Sequence, residues 1–337
     1  MRLLTSLLFP ALLFAGDFRV ANYNVENIFD LNNNGTEYQQ YKPNTQFGWN
    51  KKIYKIKLQN ISKVIKDLNA DIVALQEMES EQALKDLVDT LKNQGVEYKY
   101  FAITKKKKKT AVKCAIISKF PIKKVNEVFV SKYSRERNIL EATILVENKE
   151  FKIFVNHWKS KSGAESKRIR FATALKKRLD KLSKDTDYVI IGDLNSDYNE
   201  FETFKNRVKL NDTNGKTGIN HKLRTIKENK MITLSQIKDK KFKNYRYNLW
   251  MELDKNERWS HNFYGKKGSL DNMIISPALF DGKGISYKEK SFNRFAPKYL
   301  FVKKDWIKRW EITKRGKGKH KGVGYSDHLP IYADFKY

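Results

Sequence analysis

Short apolar runs that alternate with amphipathic helical segments predict an α/β fold built in layers. Three observations carry this reading. Ile72-Val73-Ala74-Leu75 and Tyr188-Val189-Ile190-Ile191 are apolar at every position, as strands buried on both faces are. Between such runs lie stretches with helical spacing. No Pro-, Gly- or Ser-rich linker divides the 337 residues, which include only six prolines, so residues 17–337 are expected to form one domain with lysine-rich insertions.

The elements follow in order. Residues 17–24 read as the first strand. Residues 51–69 place Ile53, Leu58, Ile61, Val64, Ile65 and Leu68 on one face at about 100° per residue, which predicts a helix. The strand at 72–75 ends at Gln76-Glu77. Residues 80–93 look helical, with Gly95 as a stop. Strands are expected near 98–103, 113–118, 139–146 and 151–156. A helix over 164–183 would bury Ile169, Ala172, Leu175, Leu179 and Leu182 and show solvent Lys167, Lys176, Lys177 and Lys181. Strand 188–191 then delivers Asp193 just past its end. Residues 205–265 are polar, lysine-rich and without a clear period, so the pattern places nothing there. Residues 105–109 are five lysines in a row, whose like charges predict a solvated loop. Residues 314–324 form a basic, glycine-rich approach to Ser326-Asp327-His328.

Sixty-eight Lys and Arg against thirty-eight Asp and Glu give a net charge of +30, which draws polyanions and makes their binding salt-sensitive. Solubility alone is the plainer reading of the same excess. Cys114 is the single cysteine, which excludes an intrachain disulfide and a cysteine-based zinc finger. It sits in an apolar run and is expected in the core. Residues 1–16 carry Arg2, an apolar run too short for a bilayer, and Ala15-Gly16. They read as a secretory signal peptide, so a periplasmic or secreted protein is expected. No other segment is apolar enough to span a membrane, and a monomer with no membrane insertion after signal removal is expected.

Polar residues gather at the ends of the apolar runs. They are Asn24-Val25-Glu26, Gln76-Glu77, Asn156-His157, Gly192-Asp193-Leu194-Asn195, Leu270-Asp271-Asn272 and Ser326-Asp327-His328-Leu329. Such ends can converge on one rim although distant in sequence. His, Asn and several carboxylates brought together this way suit metal-assisted attack of water on a phosphoester. Taken singly, each has a plainer reading: a GDLN turn, strand-end Asn and Glu, solvated lysines.

With FRVANYNVENIFD, ADIVALQE, KCAIISKFPI, VNHWKSK, YVIIGDLNSD, SLDNMIIS and GYSDHLPIYADF in this order over residues 18–335, the chain resembles the endonuclease/exonuclease/phosphatase superfamily, the deoxyribonuclease-I-like fold. NVENIFD together with NHWKSK is most similar to its secreted bacterial nucleases. The resemblance implies a four-layer sandwich of two packed mixed β-sheets flanked by helices. It implies Mg2+, with Mn2+ as an alternative, held at Glu77 with Glu26 and Asp327 as further metal-side acids. Asp193 would orient water or serve the leaving group, and Asn195 would donate to a phosphate oxygen. Asp271 would orient His328, and His157 would be a second active histidine. Asn24 would support metal or phosphate contacts. By its own chemistry, apart from the resemblance, Arg137 suits a two-pronged clamp on phosphate, and Lys159 and Lys161 suit either a phosphate contact or a solvated surface. His221, His261 and His320 match no family context.

The expected function is that of an exported, Mg-dependent nuclease, most simply a DNA endonuclease indifferent to base sequence, with RNA as another substrate. Two alternatives stand beside it. One is a phosphodiesterase or phosphatase on phospholipid headgroups or inositol phosphates. The other is a non-catalytic basic nucleic-acid-binding protein, which would require loss of a central residue. No GxxxxGK[ST] loop exists for nucleotide-triphosphate chemistry.

Overall fold

A period of two governs the central strands. In β1 (Asp17–Ile28), Ala21, Tyr23 and Val25 face one core while Phe18 and Val20 face another. β2 (Ile72–Met78) repeats this, with Val73 and Leu75 on one side and Ile72 and Ala74 on the other. Beyond β3 (Tyr100–Ile103), β4 (Lys113–Ser118) splits the same way, and buried Cys114 lies in the second core as expected. Because both faces are covered, these runs are apolar throughout. The computed structural model describes residues 16–337 except 107–108, 134–135 and 205–206, and the side chain of Arg315. The signal expected at 1–16 falls, but for Gly16, outside the described residues, as do two lysines of the 105–109 run.

The first sheet orders its strands as Ser286–Tyr287, the C-terminal Ile331–Lys336, β1, β2, β4 and β3, with Asn293–Arg294 also on the C-terminal strand. β1 and β2 run parallel and the other pairs antiparallel. The second sheet contains β5 (Ile122–Val128), β6 (Ile139–Val146), β7 (Lys149–His157), β8 (Tyr188–Asp193), Asp271–Ile275 and Tyr247–Asn248. Here β7 and β8 are the parallel pair. Both sheets are therefore mixed.

The helices cover the outer faces. α1 (Lys51–Leu68) begins at Asn50, whose side chain accepts from Ile53 N at 3.1 Å, and ends at left-handed Asn69. α2 (Glu81–Asn93) begins at Ser80, whose hydroxyl accepts from Ala83 N at 2.9 Å. Their residues Ile61, Val64, Leu68, Leu84, Leu87 and Leu91 pack on the first sheet. α3 (Glu165–Leu179) sets Phe171, Leu175 and Leu179 against Phe154, Ile190 and Ile274 of the second. Between the sheets, Val20, Ile72 and Ile116 meet Ile153, Val155, Ile191 and Met273. The layers run helix, sheet, sheet, helix, as the resemblance implies. Among the described residues no helix is long and apolar enough to cross a membrane.

Several elements differ from the sequence reading. β1 continues past residue 24 to Ile28, and β5 forms from IKKVNEV, a lysine-bearing edge strand too polar to stand out. α3 stops at Leu179; Lys181 N and Leu182 N bond back to Arg178 O and Leu179 O, so its end tightens into i→i+3 turns. Its buried face carries Arg168 in place of Ile169, because Arg168 pairs with equally buried Glu165 at 2.7 Å and donates to three carbonyls of the 159–163 loop. The described part of residues 205–265, from 207 on, folds as short helical turns and strands of two or three residues, seated by Ile219 and Leu223 beside α3 and by Leu249 and Trp250 in the inter-sheet core. Elements that short carry no legible period.

Gly192 lies within β8 and not in a turn. Its φ is +138°, and a Cβ there would stand 2.0 Å from Asn156 O on the neighbouring strand. Gly192→Ala is expected to lower stability by more than about 2 kcal/mol, since both strain and a backbone clash must be relieved. An unchanged calorimetric melting midpoint would show that β7 and β8 can separate there at little cost.

Candidate active site

At one end, the inter-sheet core turns polar. The face of β1 that carries Phe18 and Val20 continues as Asn22 and Asn24, and that of β2 continues from Ile72 and Ala74 to Gln76. On the second sheet, Ile153 and Val155 lead to His157, Val189 and Ile191 lead to Asp193, and Met273 leads back to Asp271. The period-two rule thus aims these side chains into the gap between the sheets. Buried there, they need partners. Gln76 Nε2 donates to Asn22 Oδ1 at 2.8 Å, Asn22 Nδ2 to Asp271 Oδ1 at 3.0 Å, and Asn24 Nδ2 to Asp193 Oδ2 at 3.1 Å. Asn22 and Gln76 carry no role in the sequence reading. Their signal was present, because Asn22 shares a strand face with Asn24.

Glu77 follows Gln76 and would face away, but a β-bulge re-aims it. Its φ is +69°, and the pairing of β2 with β4 skips from Gln76 to Met78. Its carboxylate enters the cavity 3.8 Å from His157 Nε2. β1 kinks alongside, with positive φ at Glu26 and Asn27. Glu26 is engaged elsewhere, however. Arg309 Nε donates to its Oε1 at 2.9 Å and Trp310 N to its Oε2 at 3.0 Å, and it does not line the cavity. Of the three acids expected at the metal, Glu77 and Asp327 line the cavity. Glu26 instead anchors Arg309, which also reaches Asp327 at 3.2 Å.

His328 Nδ1 faces Asp271 Oδ2 at 2.7 Å, and that oxygen also accepts from Ser260 Oγ at 2.6 Å. The imidazole is thereby turned so that Nε2 looks toward Asp327 at 3.8 Å and Asp193 at 4.0 Å. Ser326 fastens the loop, donating to Asn24 O at 2.6 Å and accepting from His328 N at 3.1 Å. Burial works against charge on His328, but Asp271, then Asp327 and Asp193, more than offset it and hold its pKa well above the ordinary value. Asp327 is pushed up by burial yet held well below the carboxylate range by the nearby His261 ring, 3.8 Å away, and the charges of His328 and Arg309. His261, like Asn22 and Gln76, carries no role in the sequence reading. It comes from the unplaced segment, and an antiparallel bridge sets its ring 4.7 Å from that of His328.

Asp193 Oδ1 accepts from Asn195 N at 2.8 Å, and left-handed Asn195 donates from Nδ2 to Trp158 O at 3.2 Å. His157 Nε2 lies 3.6 Å from Asp193 Oδ2, while its Nδ1 is buried without a hydrogen-bond partner. The ring proton therefore belongs on Nε2, facing the carboxylates. Burial, then Arg137, lowers the His157 pKa well below its ordinary value, so it stays neutral and suits donation more than proton storage.

Arg137 and Lys159 line the cavity, which measures about 880 Å³ and has Arg207, Lys266 and Lys267 among its cations. Lys161 reaches it too, but its ammonium is held by Asp197 at 2.6 Å and Glu200 at 2.7 Å. Tyr38 and Arg137 also line an adjoining cavity of about 760 Å³ with Lys109. Among the described side chains of residues 314–324, none lines either cavity. This loop packs on α1, with Gly322 against Ile53, and Asn60 and Lys57 donating to Gly324 O and Tyr325 O. Its lysines therefore do not form the approach to the site that the sequence suggests.

An acidic floor under a basic rim fits a cation bridging protein to phosphate. Burial, then the charge of Asp327, pushes the Glu77 pKa up, so these two acids repel where they meet. A divalent cation relieves that repulsion, and hard carboxylate oxygens suit magnesium or manganese. Such an ion would stabilise charge on a phosphoryl oxygen. Asp193 and His328 are placed to handle protons, and His157 and Asn24 to hold the reacting group.

A family model described as "Endonuclease/Exonuclease/phosphatase family" matches residues 19–236. No curated protein sequence matches the chain. Among solved structures, D. rerio TDP2 complexed with a single-strand DNA product is 13% identical, with a TM-score of 0.54 over 95% of this chain and 98% of that one. A Bacteroides thetaiotaomicron mannosyl-6-phosphatase is 13% identical, with a TM-score of 0.56 over 95% of this chain and 100% of that one. A protein of the same family from Leptotrichia buccalis is 13% identical, with a TM-score of 0.52 over 95% of this chain and 100% of that one.

Proposed function

The chain belongs to the endonuclease/exonuclease/phosphatase family, whose members are divalent-metal-dependent phosphoesterases, and on that premise we propose that it is an exported, Mg-dependent nuclease cutting DNA without regard to base sequence. The observation that carries the nuclease reading is the shape and charge of the site. Its acid-and-histidine floor opens into two adjoining cavities that share Tyr38 and Arg137, and Lys109, Lys159, Lys266 and Lys267 are spread along them. A small phosphate ester needs one cationic clamp, whereas a polynucleotide presents a phosphate at every residue along such a path. Phe263 and Tyr264, 56% and 70% exposed beside Lys266, add flat apolar faces of the kind on which bases stack. The DNA product held by one fold relative is consistent with this, while the sugar-phosphate substrate named for another keeps a phosphatase as the second outcome. Export rests on the apolar leader at residues 1–16.

Residues 17–337 incubated with supercoiled plasmid and Mg2+ are expected to nick and linearise it, with EDTA abolishing the reaction. Inactivity on DNA and RNA alongside rapid release of phosphate from a sugar phosphate, inositol phosphate or phospholipid would overturn the nuclease assignment.

A further inference from the structure

Among the described residues, His261, Asp327 and His328 each bring one ligand atom within 4.8 Å of the others. Nε2 of His261 lies 3.8 Å from Asp327 Oδ2, and Nε2 of His328 lies 3.8 Å from Asp327 Oδ1. The backbone bridge between the two histidines fixes their spacing. The other nitrogen of His328 is anchored on Asp271 at 2.7 Å, the outer carboxylate that metal-binding histidines characteristically have. His261 performs no step in the hydrolysis described above, and its stacking on Phe263 at 6.3 Å accounts for the ring but not for its aim at Asp327.

We propose that His261, Asp327 and His328 form a second cation site, selective for zinc-like transition ions over magnesium, and that occupation of this site switches hydrolysis off. Two imidazoles and one carboxylate are a donor set that zinc takes readily, whereas magnesium prefers oxygen and keeps its waters. Zinc bonds of about 2.0–2.2 Å put neighbouring ligand atoms roughly 3.3 Å apart in a tetrahedron, and the three ligand atoms lie within 4.8 Å of one another, so closing the site takes contractions of at most about 1.5 Å. All three residues line the large cavity, which leaves the fourth position open to water or phosphate. Arg309, 3.2 Å from Asp327, keeps Glu26 as its partner when the ion takes Asp327. The ion occupies the Nε2 lone pair of His328, and any proton there leaves to solvent. The histidine is then unable to act on water or phosphate. Asp327 belongs to both donor sets, so the inhibiting ion competes with the activating one for that carboxylate, while Glu77 serves only the activating ion and His261 only the inhibiting one.

The inhibitory half rests on the nuclease reading, while binding does not, and the test separates them. Zinc is titrated calorimetrically into the protein without substrate, for wild type, His261→Ala, His261→Asn and Glu77→Gln, with folding checked by circular dichroism. The His261 variants are expected to bind zinc about tenfold or more weaker than wild type, and Glu77→Gln to retain it. In excess magnesium, zinc should inhibit wild-type plasmid cleavage, and either His261 variant should need about tenfold or more zinc for the same inhibition. Equal zinc affinity in wild type and in the folded His261 variants, or no zinc binding by wild type, overturns the proposal. Zinc binding that depends on His261 in a protein that cuts no nucleic acid would uphold the site and reject only the nuclease.

Discussion

His328→Ala should slow plasmid cleavage by about 10²–10⁴-fold while the protein stays folded. The size follows from what the ring alone supplies. Its Nε2 is directed at the space shared with Asp193 and Asp327, 4.0 and 3.8 Å away, and a methyl group there neither moves a proton nor donates to a phosphate oxygen. The fold should survive because the buried partner is not stranded: Asp271 keeps Asn22 on Oδ1 and Ser260 on Oδ2. Asp193→Ala should cost a similar factor by removing the acid that Asn24 and the Asn195 amide hold in place. Single-turnover rates near wild type in either folded variant would place the chemistry elsewhere in the cavity.

Asp271→Asn should be nearly as damaging, although it changes one atom and touches no substrate. In wild type, Oδ1 accepts from Asn22 and Oδ2 from both Ser260 and His328 Nδ1. An asparagine with its NH2 toward His328 forces Nδ1 to become the acceptor, which moves the ring proton to Nε2, the wrong tautomer for the cavity side. Turning the amide over sets its NH2 against the NH2 of Asn22, two donors face to face. Asn22 cannot flip to help, because its Oδ1 accepts from Gln76. Neither orientation serves, so a loss of about 10²–10⁴-fold is expected. The pH dependence gives a second readout. Asp271 is the principal charge holding the His328 pKa up against burial, so the limb of the pH–rate profile reporting His328 should move to lower pH in the variant. The stability sign follows as well. A folded-state pKa raised above the unfolded value favours the fold below the unfolded pKa, and this contribution is lost as pH rises through the folded value. The variant should therefore lose stability at low pH relative to wild type and converge with it on the alkaline side. A rate and profile identical to wild type would mean that Asp271 serves packing alone.

The sequence by itself determined the alternation of strands and helices, the starts of α1 and α2, and the chemical kind of the site. Those features are local. A cap such as Asn50 or Ser80 acts within one turn, and a two-residue period decides which side of a strand a residue takes, which is why Asn24, His157, Asp193 and Asp271 were legible as a converging set. Only the tertiary structure decided which acids face the cavity. Glu26 and Glu77 both follow an apolar strand, yet a bulge turns Glu77 inward while Arg309 and Trp310, distant in the chain, claim Glu26. Likewise Lys159 lines the cavity and Lys161 is also bound to Asp197 and Glu200. His261 reaches His328 from a segment with no readable period, and the lysines of 314–321 end up away from the cavity. The physical reason is common to all of these. The direction of a side chain past a bulge, and the partner that neutralises it, depend on what the folded chain brings beside it, and spacing along the sequence carries no record of that encounter.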